Sequence, residues 1–479
     1  MTLTHILVFG GLALPFMWWF PVKWRSWGLL VGSVLAIGWL QHNDSSVGAD
    51  FVLPAATVIL TVAVWWIVQP SMGEDDERQR DNWVALGLIG AALGVVWIST
   101  GVANGALDVM PILSGVALVG VGAVSAAQLL PRKIDEETTL PYRRLALVMI
   151  GGIILILVVL KVPALARFLG GVFGTEQVGN TSVSPLVWLG FSYISFRLMS
   201  VLLDFRAGRL PKEGFPLRDM ATYVLFFPAF TAGPIDRAQH FIPDLQEHHA
   251  LDAGRLVDGG TRIAVGVFKK FVVADSLALT AMNTTLIDRT DSVWGLWLIL
   301  YLYAFQIFFD FSGYSDVAIG IGKLYGISLP ENFDRPYLQQ NIQQFWQRWH
   351  ITLSTWFRIY FFTPFSRLFI RSQYKFPQYV VVLLAQVSTM LLIGLWHGVT
   401  INFALWGIWH GLGLFGHKYL ADHTRTWYRR VSQKTRVRRL IYGVSVFATF
   451  NFVALGWVFF ALPEPSDSFD LLIRLFGGS

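Results

Sequence analysis

A succession of apolar runs, each about as long as a bilayer is thick, limits what this chain can fold into. Segments such as Phe51 to Val68, Val109 to Leu129, Leu145 to Val162 and Ile441 to Leu462 are nearly free of charge. A helix needs about 20 mostly apolar residues to cross a ~30 Å hydrocarbon core, and it satisfies its own backbone polar groups, each costing several kcal/mol if left unpaired in lipid. The runs are too long and continuous for barrel strands, which alternate over about 10 residues. Of the 479 residues, 14% are charged and 54% hydrophobic, where soluble domains carry about 25% charge. The fold class is therefore all-α, a polytopic membrane protein.

Further apolar segments run from Ile6 to Phe20, Trp27 to Leu40, Trp83 to Ser99, Pro185 to Leu203, Tyr223 to Ala232, Ile263 to Leu279, Trp294 to Phe309, Tyr379 to Trp396 and Ile401 to Phe415. The total predicts roughly 11 to 13 transmembrane or re-entrant helices. Several are too short to cross upright and are expected to be tilted, re-entrant or interfacial. The first lacks a basic leader and a small-residue cleavage site, so it reads as a retained span. In the loop from Lys418 to Arg439, Arg425, Arg429, Arg430, Lys434, Arg436, Arg438 and Arg439 stand against Asp422 alone, the strongest cytoplasmic signal in the chain. Arg371 and Lys375 mark the preceding loop as cytoplasmic too. The stretch from Tyr379 to Phe415 is then expected to enter and return as a hairpin, with His397 at its turn.

Cysteine is absent, which excludes disulfides, a thiolate nucleophile and cysteine-ligated metals. The net charge of +6 reflects loop asymmetry and not a nucleic-acid partner. No histidine and carboxylate cluster has ligand-like spacing, so no metal is expected. Gly73 to Asn82 and Pro131 to Pro141 read as ordinary loops without chemistry. Leu329 to Phe362 differs: it is rich in Gln, Trp, Arg and Pro, side chains too polar to face lipid.

Ionisable groups in apolar surroundings are costly and default to function, with internal pairing as the alternative. His397 ranks first. A neutral imidazole can take a proton from a hydroxyl and return it, and the following Gly398 permits close approach of a backbone or ligand; a structural histidine is the competing reading. His350 is read as part of a helical, aromatic and basic segment at an interface, able to assist the base or bind a donor. His410 repeats the Trp-His-Gly triplet, but thirteen residues turn a continuous helix by about 220° relative to His397. Packing or helix-to-helix hydrogen bonding is its expected role. Asp310 and Asp316 are read as ion-pair partners of Arg348 or Arg335, or as positioning His350. Lys269 and Lys270 are expected to snorkel to headgroups or to meet donor phosphates. Ser354, Trp396 and Asn402 join Asp310, Asp316 and Arg348 as candidate channel or substrate-binding residues. The glycine and prolines of Tyr223 to Pro234 predict a broken element lining the interior.

The run DFSGYSDVAIGIGKLYGISLPENFDRPYLQQNIQQFWQRWHITLSTWFR, Asp310 to Arg358, closely resembles the central signature of bacterial membrane-bound O-acyltransferases. GLWHGVTINFALWGIWHG, Gly394 to Gly411, resembles their active-site signature, and GFSYISFRLMSVLLD, FFPAFTAGPIDR, GVFKKFVVADSLA and LGWVFF match further blocks in order. The resemblance covers about Leu145 to Leu462. It is nearest to the alginate O-acetyltransferase branch and more distant from the D-alanyl transfer branch of teichoic acid modification. It implies a ring of tilted helices around a central channel, His397 as catalytic residue and His350 as a second functional histidine. It further implies acetyl-CoA as acyl-donor substrate with no bound cofactor, an extracytoplasmic polysaccharide acceptor, a separate extracytoplasmic acyltransferase or esterase-like partner, and residence in the bacterial inner membrane. The chain departs from the pattern at Ile359, where relatives commonly have Asp, and at Ile401, where they commonly have Trp.

Residues 1–144 are thus expected to form N-terminal helices with a two-span insertion at about 70–141, residues 145–462 the catalytic core, and 463–479 a short tail. The competing functions are D-alanyl transfer from a carrier protein and transport of an acylated intermediate without ester chemistry. Transporters usually carry internal repeats with paired broken helices, and none is visible here.

Overall fold

The computed structural model describes residues 1–41, 47–69, 76–103, 136–172, 186–247, 249 and 252–478. Every regular element among them is helical, and the sole β-type pairing is a bridge between Phe333 and Trp349. Six of the described helices are long and apolar enough to cross a membrane: Asp50–Val68, Glu77–Thr100, Leu140–Lys161, Val293–Leu324, Gln378–His397 and Thr435–Ala461. The chain is a multi-pass, all-α membrane protein. The expected span at Val109 to Leu129 lies outside the described residues.

Two compact units form, one from Met1–Ile263 with Val317–Leu329, the other from Ala264–Asp316 with Pro330–Ser479. In the first, the Tyr223 to Ala232 segment is broken, as its composition predicts: a helix Leu217–Leu225 gives way to a 3-10 turn at Phe227–Ala229. A broken helix strands carbonyls that lipid cannot satisfy. Arg197, on the helix Phe191–Arg206 and only 2% exposed, fills that need, its Nη1 donating to the carbonyl of Val224 at 2.9 Å and its Nη2 to that of Ala229 at 2.7 Å. Two sequence blocks far apart in the chain are thereby one hydrogen-bonded structure.

The second unit departs from the sequence reading in three places. The apolar run ending at Phe309 continues as one helix from Val293 to Leu324, straight through Asp310 and Asp316. It can do so because both carboxylates are paired: Lys269 Nζ lies 2.6 Å from Asp316 Oδ2, and Lys270 donates to Asp310. The lysines sit on a π-helical segment, Phe268–Ala274, and each is engaged by a carboxylate, so Asp310 and Asp316 pair with them and not with Arg348 or Arg335. Next, the basic stretch from Lys418 is mostly helical: the 31-residue helix Ile401–Val431 carries its first part to Val431, a short turn follows, and the helix Thr435–Ala461 carries Arg436, Arg438 and Arg439. At 1.5 Å per residue the first of these helices is about 46 Å long, well beyond a ~30 Å core. Finally, residues beyond Leu462 form a helix, Pro465–Arg474, whose Leu471 is fully buried against Leu296, Leu300 and Val458.

The hairpin around His397 is present. Helix Gln378–His397 ends at Gly398 and helix Ile401–Val431 starts after Thr400, whose hydroxyl caps the amide of Phe403. Small residues let the two backbones touch. A Cβ on Gly394 would lie 2.1 Å from the Phe403 carbonyl oxygen, and one on Gly407 would lie 2.5 Å from that of Met390. Such small-residue seams replace the hydrophobic effect in lipid, where apolar burial between helices gains little.

Candidate active site

Leu329 to Phe362 folds into short pieces: a 3-10 turn Pro336–Leu338, helices Ile342–Trp346 and Ile351–Phe357, and a π-helical turn Arg358–Phe362. Two strands of irregular chain hold it together through Asp334 N to Arg348 O at 3.1 Å and Ile351 N to Asn332 O at 3.0 Å. His350 stands just before the Ile351–Phe357 helix with φ 43°. That left-handed conformation is uncommon outside glycine, though histidine is among the residues enriched there. Backbone strain of this kind persists where the surroundings over-determine it. The expectation of a helical, interfacial His350 is therefore corrected: it precedes its helix and is 2% exposed.

Its tautomer follows from its partner. Asn332 is fully buried. Its side-chain oxygen faces the backbone N–H of Thr352 at 3.3 Å and takes the Thr352 hydroxyl at 2.9 Å, while its amide nitrogen donates to Ser315 Oγ at 3.2 Å. A backbone N–H can only donate, so the atom facing it is an acceptor, and His350 Nδ1, 3.0 Å from the same oxygen, must carry the proton. Nε2 is then the basic nitrogen. Phe311 fixes the ring from one side, its centroid 4.6 Å away at 87°.

His397, last residue of its helix, is partly exposed. Its ring is bounded by Trp396 at 4.6 Å, Phe460 at 4.9 Å, Trp406 at 5.6 Å and Phe403 at 6.0 Å. Trp396 also touches His350 at 6.4 Å, and the two imidazoles lie within electrostatic reach of each other. His397, His350 and Trp396, forty-seven residues apart at the extremes, thus come together. The following Gly398 approaches a ring and not a backbone: a Cβ there would lie 2.6 Å from Phe403.

The side chains of the remaining candidates make other contacts. Arg348 pairs with Asp334 in a half-exposed ion pair. Ser354 Oγ donates to the Trp349 carbonyl at 3.4 Å. Asn402 donates to the Leu462 carbonyl at 2.7 Å and meets Ser468 Oγ at 3.2 Å, which ties the hairpin to the C-terminal helix. His410 is fully buried among Trp406 at 4.9 Å, Trp346 at 5.2 Å and Phe452 at 5.9 Å. Packing is confirmed for it, but neither ring nitrogen has a hydrogen-bond partner among the described residues, so helix-to-helix hydrogen bonding is not its role. Trp406 touches both His397 and His410 despite their angular separation.

Sequence reasoning missed Asn332 and Phe311. Asn332 lies eighteen residues before His350 in an ordinary-looking LPENF stretch, and only the fold makes it the histidine's partner. It also passed over Asp244, Glu247 and His249, whose ligand-type atoms lie within 4.8 Å of one another. There His249 Nε2 meets the two carboxylates at 3.0 and 3.1 Å, an arrangement that mutual ion pairing accounts for.

The described residues form a helical membrane protein in which His397, at a helix hairpin, and His350 both meet Trp396. The sequence profile of MBOAT, the membrane-bound O-acyltransferase family, matches residues 148–462, and the chain belongs to that family. Among its relatives, the probable alginate O-acetylase AlgI of Pseudomonas syringae is 34% identical over 293 residues, 61% of this chain and 51% of the relative. The teichoic acid D-alanyltransferase of Streptococcus thermophilus is 32% identical over 298 residues, 60% of this chain and 71% of the relative. The peptidoglycan O-acetyltransferase of Helicobacter pylori is 33% identical over 263 residues, 54% of this chain and 46% of the relative. The match thus spans about half the length of the alginate and peptidoglycan relatives.

Proposed function

We propose that this chain is an O-acyltransferase of the bacterial inner membrane. It takes an acetyl group from acetyl-CoA at the cytoplasmic face and delivers it to a hydroxyl of an extracytoplasmic polysaccharide, with a separate extracytoplasmic protein as partner. The observation that carries this reading is the gathering of His397 and His350 about Trp396, inside the region that matches the family. His397 acts as general base. As the acceptor oxygen attacks the thioester carbonyl, the imidazole takes the hydroxyl proton; the carbon–sulfur bond breaks, the ester forms, and the proton passes to the departing thiolate. His350, held by Asn332 with its basic nitrogen defined, assists as a second proton acceptor or orienting group.

A second reading is supported by a particular observation: the D-alanyltransferase relatives are covered over 68% and 71% of their length, the alginate relative of Pseudomonas syringae over 51%. On that reading the donor is a carrier protein presenting a D-alanyl thioester. The deciding experiment offers purified protein in nanodiscs radiolabelled acetyl-CoA and, separately, a D-alanyl carrier thioester with an oligosaccharide acceptor. Transfer from acetyl-CoA that falls by at least about 10²-fold in His397→Ala supports the first reading. Transfer from the carrier alone selects the second. Passage of a preformed acylated compound across the bilayer, with no transfer from either donor, would make the protein a transporter and end both.

A further inference from the structure

The segment that reads as a loop without chemistry contributes to a polar cavity of about 190 Å³ in the first unit, lined by Glu77, Arg78, Asp81, Asn82, Pro216 and Arg218. Four of these residues open the membrane-crossing stretch Glu77–Thr100, which puts the cavity at the depth of phospholipid headgroups.

The site is built, not a chance meeting of surface charges. Arg218 spends Nε on the fully buried Asp219 at 2.6 Å, and its guanidinium lies 5.1 Å from the centre of the Trp27 ring. Asp219 is itself held by Gln246 Nε2 at 2.7 Å. The guanidinium plane is therefore fixed, and its terminal nitrogens have no partner among the described residues. Asn82, 2% exposed, uses Oδ1 to accept from the backbone N–H of Leu217 at 3.0 Å. That leaves Nδ2 a buried donor with no partner among the described residues. An unanswered buried donor costs about 1–3 kcal/mol and calls for an acceptor. Arg78 adds a second guanidinium, steadied by Gln69 Oε1 at 3.4 Å. In the same lining, Asp81 has no ion-pair partner among the described residues, and Glu77 meets only the exposed Arg80 at 3.9 Å.

Donors and guanidiniums suit a phosphate, and the two carboxylates in the same lining suit a cation attached to it. We infer that this cavity binds a zwitterionic phosphoethanolamine group, its phosphate facing Arg78, Arg218 and the Asn82 amide and its ammonium facing Asp81 and Glu77. The same chemistry arrives either as the headgroup of phosphatidylethanolamine or as soluble phosphoethanolamine.

The test uses the intact protein in phosphatidylcholine nanodiscs doped with photoactivatable phosphatidylethanolamine, phosphatidylglycerol or phosphatidylcholine, with crosslinked peptides read by mass spectrometry. Phosphatidylethanolamine is expected to label the segment around residues 77–82 most strongly. Arg218→Gln should lower that labelling about tenfold, the effect of one charge-assisted hydrogen bond. Because Arg218 also holds Asp219, the exposed-side variant Asp81→Asn is the control against misfolding. It should weaken phosphatidylethanolamine labelling about threefold while leaving phosphatidylglycerol labelling unchanged or higher, as loss of one weak ion pair predicts. Competition by millimolar phosphoethanolamine identifies the soluble source, and its failure to compete identifies the lipid. Equal labelling by all three lipids, or phosphatidylethanolamine labelling that neither variant alters, overturns the assignment.

Discussion

Each compact unit sinks a strongly polar group into apolar surroundings, and the two units use it in opposite ways. In the first, Arg197 is covered by carbonyl oxygens of Tyr223, Val224 and Ala229, which the broken helix leaves without intrahelical partners. The charge and the carbonyls answer one another, and the result is architecture. In the second, His350 is held through Nδ1 by Asn332 and packed against Phe311, and His397 stands partly open at a helix end. A polar group whose terminal nitrogens bond to stranded backbone carbonyls, as Nη1 and Nη2 of Arg197 do, holds a fold together. One held by a side-chain amide beside a second imidazole, as His350 is, serves on the proposed function as a group for chemistry. The pairing of Lys269 with Asp316 belongs with Arg197: it lets a helix carry carboxylates through a long apolar stretch.

Substitutions can break this contrast or sharpen it. The largest loss of folded protein is expected for Arg197→Met, which removes a buried charge and leaves several membrane-depth carbonyls unanswered, a cost of about 3–5 kcal/mol. Size-exclusion chromatography should show aggregate or a much lowered melting temperature; a monodisperse variant with wild-type melting would erase the distinction. His397→Ala should do the reverse, melting as the parent does while turnover drops by about 10²–10⁴-fold. Should it unfold the protein while Arg197→Met does not, the two roles have been exchanged. Asn332→Ala removes the anchor that sets the His350 tautomer. It is expected to cost about tenfold in turnover and about 1–3 kcal/mol in stability, since it unseats buried donors on His350 and Thr352. A pH–rate profile that stays put in this variant would show that the histidine's orientation does not matter to the reaction. Smallest of all is Arg348→Gln. Its half-exposed pair with Asp334 should be worth less than about 1 kcal/mol, and a large effect on turnover would return Arg348 to the site.

The contrast also explains how much of the site was legible in the residues alone. His397 could be found because its signals are local: an imidazole after a long apolar run, a glycine beside it, and basic residues flanking the hairpin that fix where the turn falls. Asp310 and Asp316 stand out in the sequence but their partners do not, because Lys269 and Lys270 lie some forty residues upstream and ion pairing leaves no mark on sequence spacing. The basic run from Lys418 looked like a loop because charge excludes a segment from the hydrocarbon, yet charge does not end a helix. Asn332 gave no signal, an amide in a turn-rich stretch that becomes the key to His350 only when residues 332–334 lie beside 348–352.

By itself, the sequence determined that this protein crosses a bilayer as helices, that the Tyr223 to Ala232 segment must break, and that one imidazole sits at a hairpin turn. Those follow from chain length against membrane thickness and from backbone chemistry, which are local. The tertiary structure decided which carboxylate meets which lysine, which tautomer His350 holds, how small residues bring the hairpin helices into contact, and that Glu77, Asp81 and Arg218 share one cavity. Each of those depends on segments distant in the chain, and in lipid it is close packing and mutual satisfaction of polar groups, not apolar burial, that selects among the possible neighbours.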